Sequence, residues 1–71
     1  MSLAGTLAAK EAIIKALRLG PLVAWGGRIE ITRAESGAPR AHVEVVPPPG
    51  RLEISISHDA GIAVAVALVL P

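Results

Sequence analysis

Residues 7–20 read LAAKEAIIKALRLG, and the rest of the chain is organised around them. Ala, Leu, Lys and Glu all favour the helix, Thr6 is a capping residue type directly before the stretch, and Gly20-Pro21 supplies a stop. The spacing predicts a helix over residues 7–19. At about 100° per residue, Leu3, Leu7, Ile14 and Leu17 share one stripe, with Glu11, Lys15 and Arg18 on the strip beside it. A carboxylate and two cations are therefore expected at the rim of the buried face, not on its far side.

Beyond the helix the period changes from 3.6 to 2. After a loop holding Trp25-Gly26-Gly27, residues 28–33 (RIEITR) alternate polar and apolar, as do residues 40–46 through Ala41, Val43 and Val45. Residues 35–39, ESGAP, supply the turn of a hairpin between them. Pro47-Pro48-Pro49-Gly50 is a stiff connector that cannot donate to a ladder and must leave the sheet. Leu52, Ile54 and Ile56 then alternate with Glu53, Ser55 and Ser57 in a third strand, and residues 57–61 (SHDAG) read as a second turn. The last strand, residues 62–70, carries no polar side chain on either face, so it is expected at the centre of the sheet or covered by a helix and a neighbouring subunit. The predicted fold is α+β, one N-terminal helix packed on a mostly antiparallel four-stranded sheet, as a single domain over residues 1–71.

Composition narrows the function classes. In 71 residues there are no cysteines and one aromatic, although 52% of the residues are apolar. The core must be built from Ala, Val, Ile and Leu without a disulfide, and a thin core of that kind points to a homo-oligomer. A formal charge of +1 gives no field for nucleic acid. The longest apolar run, residues 61–70, is about half of a membrane-spanning helix, so the chain reads as soluble and cytoplasmic. Met1-Ser2-Leu3 reads either as an added start or as native sequence.

Three ordered motifs converge: Lys10-Glu11-Ala12 with Lys15-Ala16 and Gly20 on the helix; Ser36-Gly37-Ala38-Pro39-Arg40 in the first turn; and Ser55-Ile56-Ser57-His58 before an Ala/Val-rich strand. The conjunction resembles the 4′-phosphopantetheinyl transferase superfamily, in particular holo-acyl-carrier-protein synthases, from about Gly5 to Leu70. Leu7 stands where the family usually has an aromatic. The resemblance implies transfer of 4′-phosphopantetheine from coenzyme A to a serine of an acyl carrier protein or carrier domain, releasing 3′,5′-adenosine bisphosphate, as in fatty acid and polyketide biosynthesis. It implies Mg²⁺ held by Glu11, with Lys15 catalytic one turn further on, at a phosphate oxygen or the leaving group. His58 would donate to a coenzyme A phosphate with Ser57 as a weaker neighbour. Gly37 and Pro39 would lie near the nucleotide end, across a subunit boundary, in a trimer by family precedent.

Plainer readings stand beside these. Glu11 and Lys15 also make an ordinary i,i+4 surface pair, His58 beside Asp59 an ordinary turn histidine, and Gly37 and Pro39 plain turn residues. Trp25 reads as an anchor of its loop or of a subunit contact, and Arg18, Arg28, Arg33, Arg40 and Arg51 as solvated surface or as contacts to an acidic carrier protein. The pattern also departs from the family: no Gly-x-Asp strand precedes Gly5, a short proline run replaces a usual helix, Thr6 and Ala38 stand where basic residues are common, Arg18-Leu19 replaces Gly-Thr, and Asp59 replaces a small hydroxyl residue. The chain thus resembles the C-terminal portion of a synthase. It reads first as a fragment or minimal form of a transferase, and otherwise as a non-catalytic binder of coenzyme A or a carrier protein, or as a structural oligomerisation module.

Overall fold

A computed structural model describes residues 2–45, 47 and 50–70. Helix α1 (Leu3–Leu17) is followed by the short α2 (Leu22–Trp25), a 3-10 turn at Gly26–Arg28, and strands β1 (Ile29–Arg33), β2 (Pro39–Val43), β3 (Arg51–Asp59) and β4 (Ile62–Leu70). Pro48 and Pro49 of the expected connector, and Val46 before it, lie outside the described residues.

Both ends of α1 differ from expectation. Ser2, not Thr6, is the cap: its backbone is extended, and its Oγ accepts the Gly5 N–H at 3.0 Å. Thr6 sits inside the first turn, its hydroxyl donating to the Ser2 carbonyl at 3.0 Å. At the other end Arg18 turns left-handed with φ 54°, and the Leu19 N–H reaches back to the Ile14 carbonyl at 2.9 Å. That six-to-one bond closes the helix two residues before Gly20. Gly20 is small for another reason, since a Cβ there would lie 3.1 Å from the Trp25 indole nitrogen.

The buried face of α1 is also not the leucine stripe. Gly5, Ala9, Ile13 and Ile14 are buried, whereas Leu3 and Leu7 are 75% and 41% exposed. At about 100° per residue Glu11 lies some 200° from Ala9, so Glu11 and Lys15 stand on the outward side, both exposed. The reason is the surface α1 packs against. Its most extensive contact is with β4, whose half-buried positions are Ala63, Ala65 and Ala67. A sheet face this shallow lets the helix come close only through small residues, and Gly5 and Ala9 provide them. A Cβ on Gly5 would meet Ser2 Oγ at 3.2 Å and Ile56 Cγ2 at 3.4 Å.

The α+β class holds, a helix packed on antiparallel strands, but the hydrogen bonding is divided into two hairpins, β1-β2 and β3-β4. In the first, Ile29 pairs with Val43 and Arg33 with Pro39; in the second, Arg51 pairs with Leu70 and Asp59 with Ile62. Strands β2 and β3 lie against each other without joining the ladders. The second turn is tighter than the sequence suggests: Ser57, His58 and Asp59 remain in β3, and Ala60 (φ 49°) with Gly61 (φ 76°) makes the whole loop.

A cluster of Ile13, Ile14, Ile29 and Val43 forms the centre of the core, with Leu17, Leu19, Leu22, Trp25 and Ile54 among those packed around it. Strand β4 is an edge of its hairpin, covered by α1 on one face. Its other face leaves Ile62, Val64, Val66 and Leu68 more than half exposed.

Candidate functional site

Strand β3 delivers His58 to the N-terminal end of α1. Alternation places Leu52, Ile54, Ile56 and His58 on the helix side and Glu53, Ser55 and Ser57 on the outer side. His58 Nε2 lies 2.8 Å from Ser2 Oγ, the same oxygen that caps the helix. The small Gly5 leaves the room, since a Cβ at that position would come within 3.6 Å of His58 Nε2. Beside this contact an open pocket of about 450 Å³ is lined by Ser2, Ala4, His58, Asp59, Ala60 and Gly61. It combines an imidazole, a hydroxyl and the first turn of a 15-residue helix, whose free N–H groups favour negative charge.

Glu11 and Lys15 occupy the outward face of the same helix. At 1.5 Å per residue Glu11 is about 13 Å along the axis from Ser2, and Lys15 about 6 Å further. They are one turn apart, yet ion pairing among the described residues is limited to Arg51 and Glu53 at 2.8 Å. The Glu11 carboxylate and the Lys15 ammonium are therefore both available to a ligand. Lys10 has a different employment: its ammonium donates to the Gly26 carbonyl at 2.8 Å, tying α1 to the 3-10 turn before β1. Residues 25–27, expected as a loop, are helical: Trp25 ends α2 and packs on the core with the Arg28 guanidinium 5.2 Å above its ring.

The remaining candidates are not brought to this place within one chain. Ser57 points to the opposite face of β3 from His58. Gly37 lies in the β1-β2 turn, with φ 89° and its carbonyl accepting from the Arg33 guanidinium, and Pro39 opens β2 beside it. Neither lines the His58 pocket. One chain thus presents three separate surfaces: the His58 end, the Glu11-Lys15 face and the Gly37-Pro39 tip.

Among the described residues no group of three or more His, Cys, Asp or Glu gathers as a metal cage. The exposed Glu11 carboxylate is a hard oxygen donor of the kind Mg²⁺ takes singly or in pairs alongside substrate phosphates. The donor set fits that type of site and not a self-contained one. Sequence reasoning missed Ser2 and Gly5. The available signal was a Ser-x-x-Gly start in front of the Ala-rich helix, which a search for the first strong helix former passes over.

No family model matches the chain. The holo-acyl-carrier-protein synthase of Chlorobaculum parvum is 47% identical over 73 residues, covering 100% of this chain and 62% of the relative. That of Chlorobaculum tepidum is 47% identical over 72 residues, covering 99% and 61%. Among solved structures, the crystal structure of the Helicobacter pylori holo-acyl-carrier-protein synthase in complex with coenzyme A matches with a TM-score of 0.83 at 36% identity, over 94% of this chain and 63% of that one. Sequence and backbone agree on one family, of whose members the chain spans about three fifths of the length: it belongs with the holo-acyl-carrier-protein synthases of the 4′-phosphopantetheinyl transferase superfamily.

Proposed function

We propose that this chain carries the coenzyme A-handling part of a holo-acyl-carrier-protein synthase, corresponding to the C-terminal side of such an enzyme and working in the cytoplasm on an acyl carrier protein or carrier domain. The observation that carries the reading is the match over 94% of the chain to a synthase whose structure contains coenzyme A, joined to free Glu11 and Lys15 side chains on α1. In the reaction a carrier serine oxygen bonds to the phosphorus that bears the pantetheine, the bridging P–O bond breaks, 3′,5′-adenosine bisphosphate leaves, and the serine proton is released. Little covalent work falls to the protein. It must place the nucleophile and offset the charge that spreads over the phosphoryl oxygens.

Glu11 would hold Mg²⁺, which when bound supplies charge neutralisation at the diphosphate. Lys15 places an ammonium at the leaving oxygens, where charge grows as the bridge breaks. His58 donates a hydrogen bond to a phosphate oxygen from the end of α1, and the Gly37-Pro39 turn approaches the nucleotide. Since these surfaces are separate in one chain, the reading requires a homo-oligomer in which neighbours complete each other's site. The uncovered apolar face of β4 supports association. A trimer suits the requirement, and fatty acid or polyketide synthesis suits the chemistry.

Calorimetric titration with coenzyme A in Mg²⁺ tests the reading. Binding by the wild type that falls at least tenfold in Lys15→Ala, together with a phosphopantetheine mass gain on apo-carrier protein, is the expected result. Binding without the mass gain would leave a non-catalytic coenzyme A binder. Neither signal, in a folded sample, would leave an oligomerisation module.

A further inference from the structure

The contact between Ser2 Oγ and His58 Nε2, at 2.8 Å, joins residues 56 positions apart. The same oxygen accepts the Gly5 N–H at 3.0 Å. A hydroxyl has two lone pairs and a single proton. One lone pair is committed to Gly5, an amide at the positive end of α1. If His58 brought a second N–H to that oxygen, more positive charge would gather where the helix already presents it, and the hydroxyl proton would have no protein acceptor among the described residues. If instead the hydroxyl donates to a bare Nε2, the amide-to-hydroxyl and hydroxyl-to-ring bonds polarise one another in the same direction.

We infer that Ser2 is a positioning residue for His58: its hydroxyl donates to Nε2, holds the neutral ring as the Nδ1–H tautomer, and leaves Nδ1–H as the ring's free donor for an anionic ligand of the adjoining pocket. Asp59 lines that pocket too, and it makes no hydrogen bond to the ring among the described residues. The identity of the anion, the diphosphate of coenzyme A, rests on the function proposed above; the tautomer does not. The arrangement lets a neutral imidazole serve as a donor to phosphate, with the ring oriented by the helix cap.

The tautomer can be read directly in proton–nitrogen correlation spectra of the full chain labelled with ¹⁵N-histidine, at a pH where both imidazoles are neutral, with His42→Gln used to assign the signals. The wild type and Ser2→Thr are expected to show a bare Nε2 and a protonated Nδ1. Ser2→Asp still caps the helix but offers only acceptors, so it should move the proton to Nε2. Ser2→Gly is nearly as good a cap; it should release the ring to a mixture of tautomers and weaken coenzyme A binding about two- to tenfold, the worth of one net hydrogen bond, with Ser2→Thr restoring it.

A wild-type ring protonated at Nε2, or a tautomer unchanged across Ser2→Gly and Ser2→Asp, overturns the inference. So does equal coenzyme A affinity in the wild type and Ser2→Gly. If Ser2→Gly fails to fold, the wild-type, Thr and Asp spectra still decide the matter. Expected tautomers in a protein that binds no coenzyme A would sink the proposed function and leave Ser2 as the residue that orients His58.

Discussion

The two hairpins bury their side chains in opposite ways. The short one, β1-β2, has five residues per strand and supplies both buried strand residues, Ile29 and Val43, at 2% and 6% exposure. The long one, β3-β4, has nine per strand and no buried residue by the same measure. It meets the helix through an alanine row and leaves a valine and leucine row uncovered. Stability is therefore concentrated where the C-terminal half of α1 meets the small hairpin. The long hairpin, which carries His58, gains most of its cover from close approach of small residues, and its outer face is available for association.

The largest expected effect tests that division. Ile29→Ala should destabilise by about 3 kcal/mol, within the range for emptying a buried aliphatic site. Ile54→Ala, half-buried on the long hairpin, should cost about half as much. Urea denaturation at one fixed protein concentration compares them, since association makes the midpoint concentration-dependent. Equal costs would mean that the two hairpins share one core of uniform quality.

Next comes the close approach of helix and alanine row. Ala9 has 0% exposure, so Ala9→Leu must push α1 away from its neighbours and should cost about 1–3 kcal/mol. A neutral outcome would show that the helix lifts from β4 freely. The opposite sign is expected at the end of α1, where an arginine holds φ 54°. Arg18→Gly should stabilise by about 1 kcal/mol, because glycine adopts this conformation without the Cβ clash. Thermal unfolding of the variant reads the gain, and a loss would mean that the Arg18 side chain holds a contact that outweighs the backbone strain.

These particulars mark what a reader of the sequence could and could not see. The alternation of Ile29, Ile31, Ala41 and Val43, and of Leu52 to Ile56, gave three of the four strands, because a period of two has few competing explanations. The helix was legible for the same reason, but its inward face was not. Leu3, Leu7, Ile14 and Leu17 form the more apolar stripe, and hydrophobicity alone would bury it. The shape of the partner decided otherwise: a row of alanines accepts Gly5 and Ala9 and has no depth for Leu7. The same shift turned Glu11 and Lys15 from the rim to the outward face. The three motifs placed the chain in its family through residue identity. The Ser2-His58 contact is invisible at that level, since it joins the first helical turn to the third strand.

The smallest effect on the folded chain should come from the uncovered row of β4. Val66 is 54% exposed and sits opposite Ser55, so Val66→Lys removes little buried surface and should change the stability of the isolated chain by no more than about 0.5 kcal/mol. Its effect on assembly should be of another order. A lysine ammonium set into an apolar interface must be desolvated without a partner, which opposes association far more strongly than it perturbs the fold. Light scattering coupled to size exclusion is then expected to report smaller particles for Val66→Lys than for the wild type, with the far-ultraviolet spectrum unchanged. If the mass is the same for both, the face is not an interface, and the long hairpin is as thinly covered in solution as it is in one chain. If both masses are those of a single chain, the sites on three surfaces have no neighbour to complete them, and the transferase reading loses its physical basis along with the oligomer.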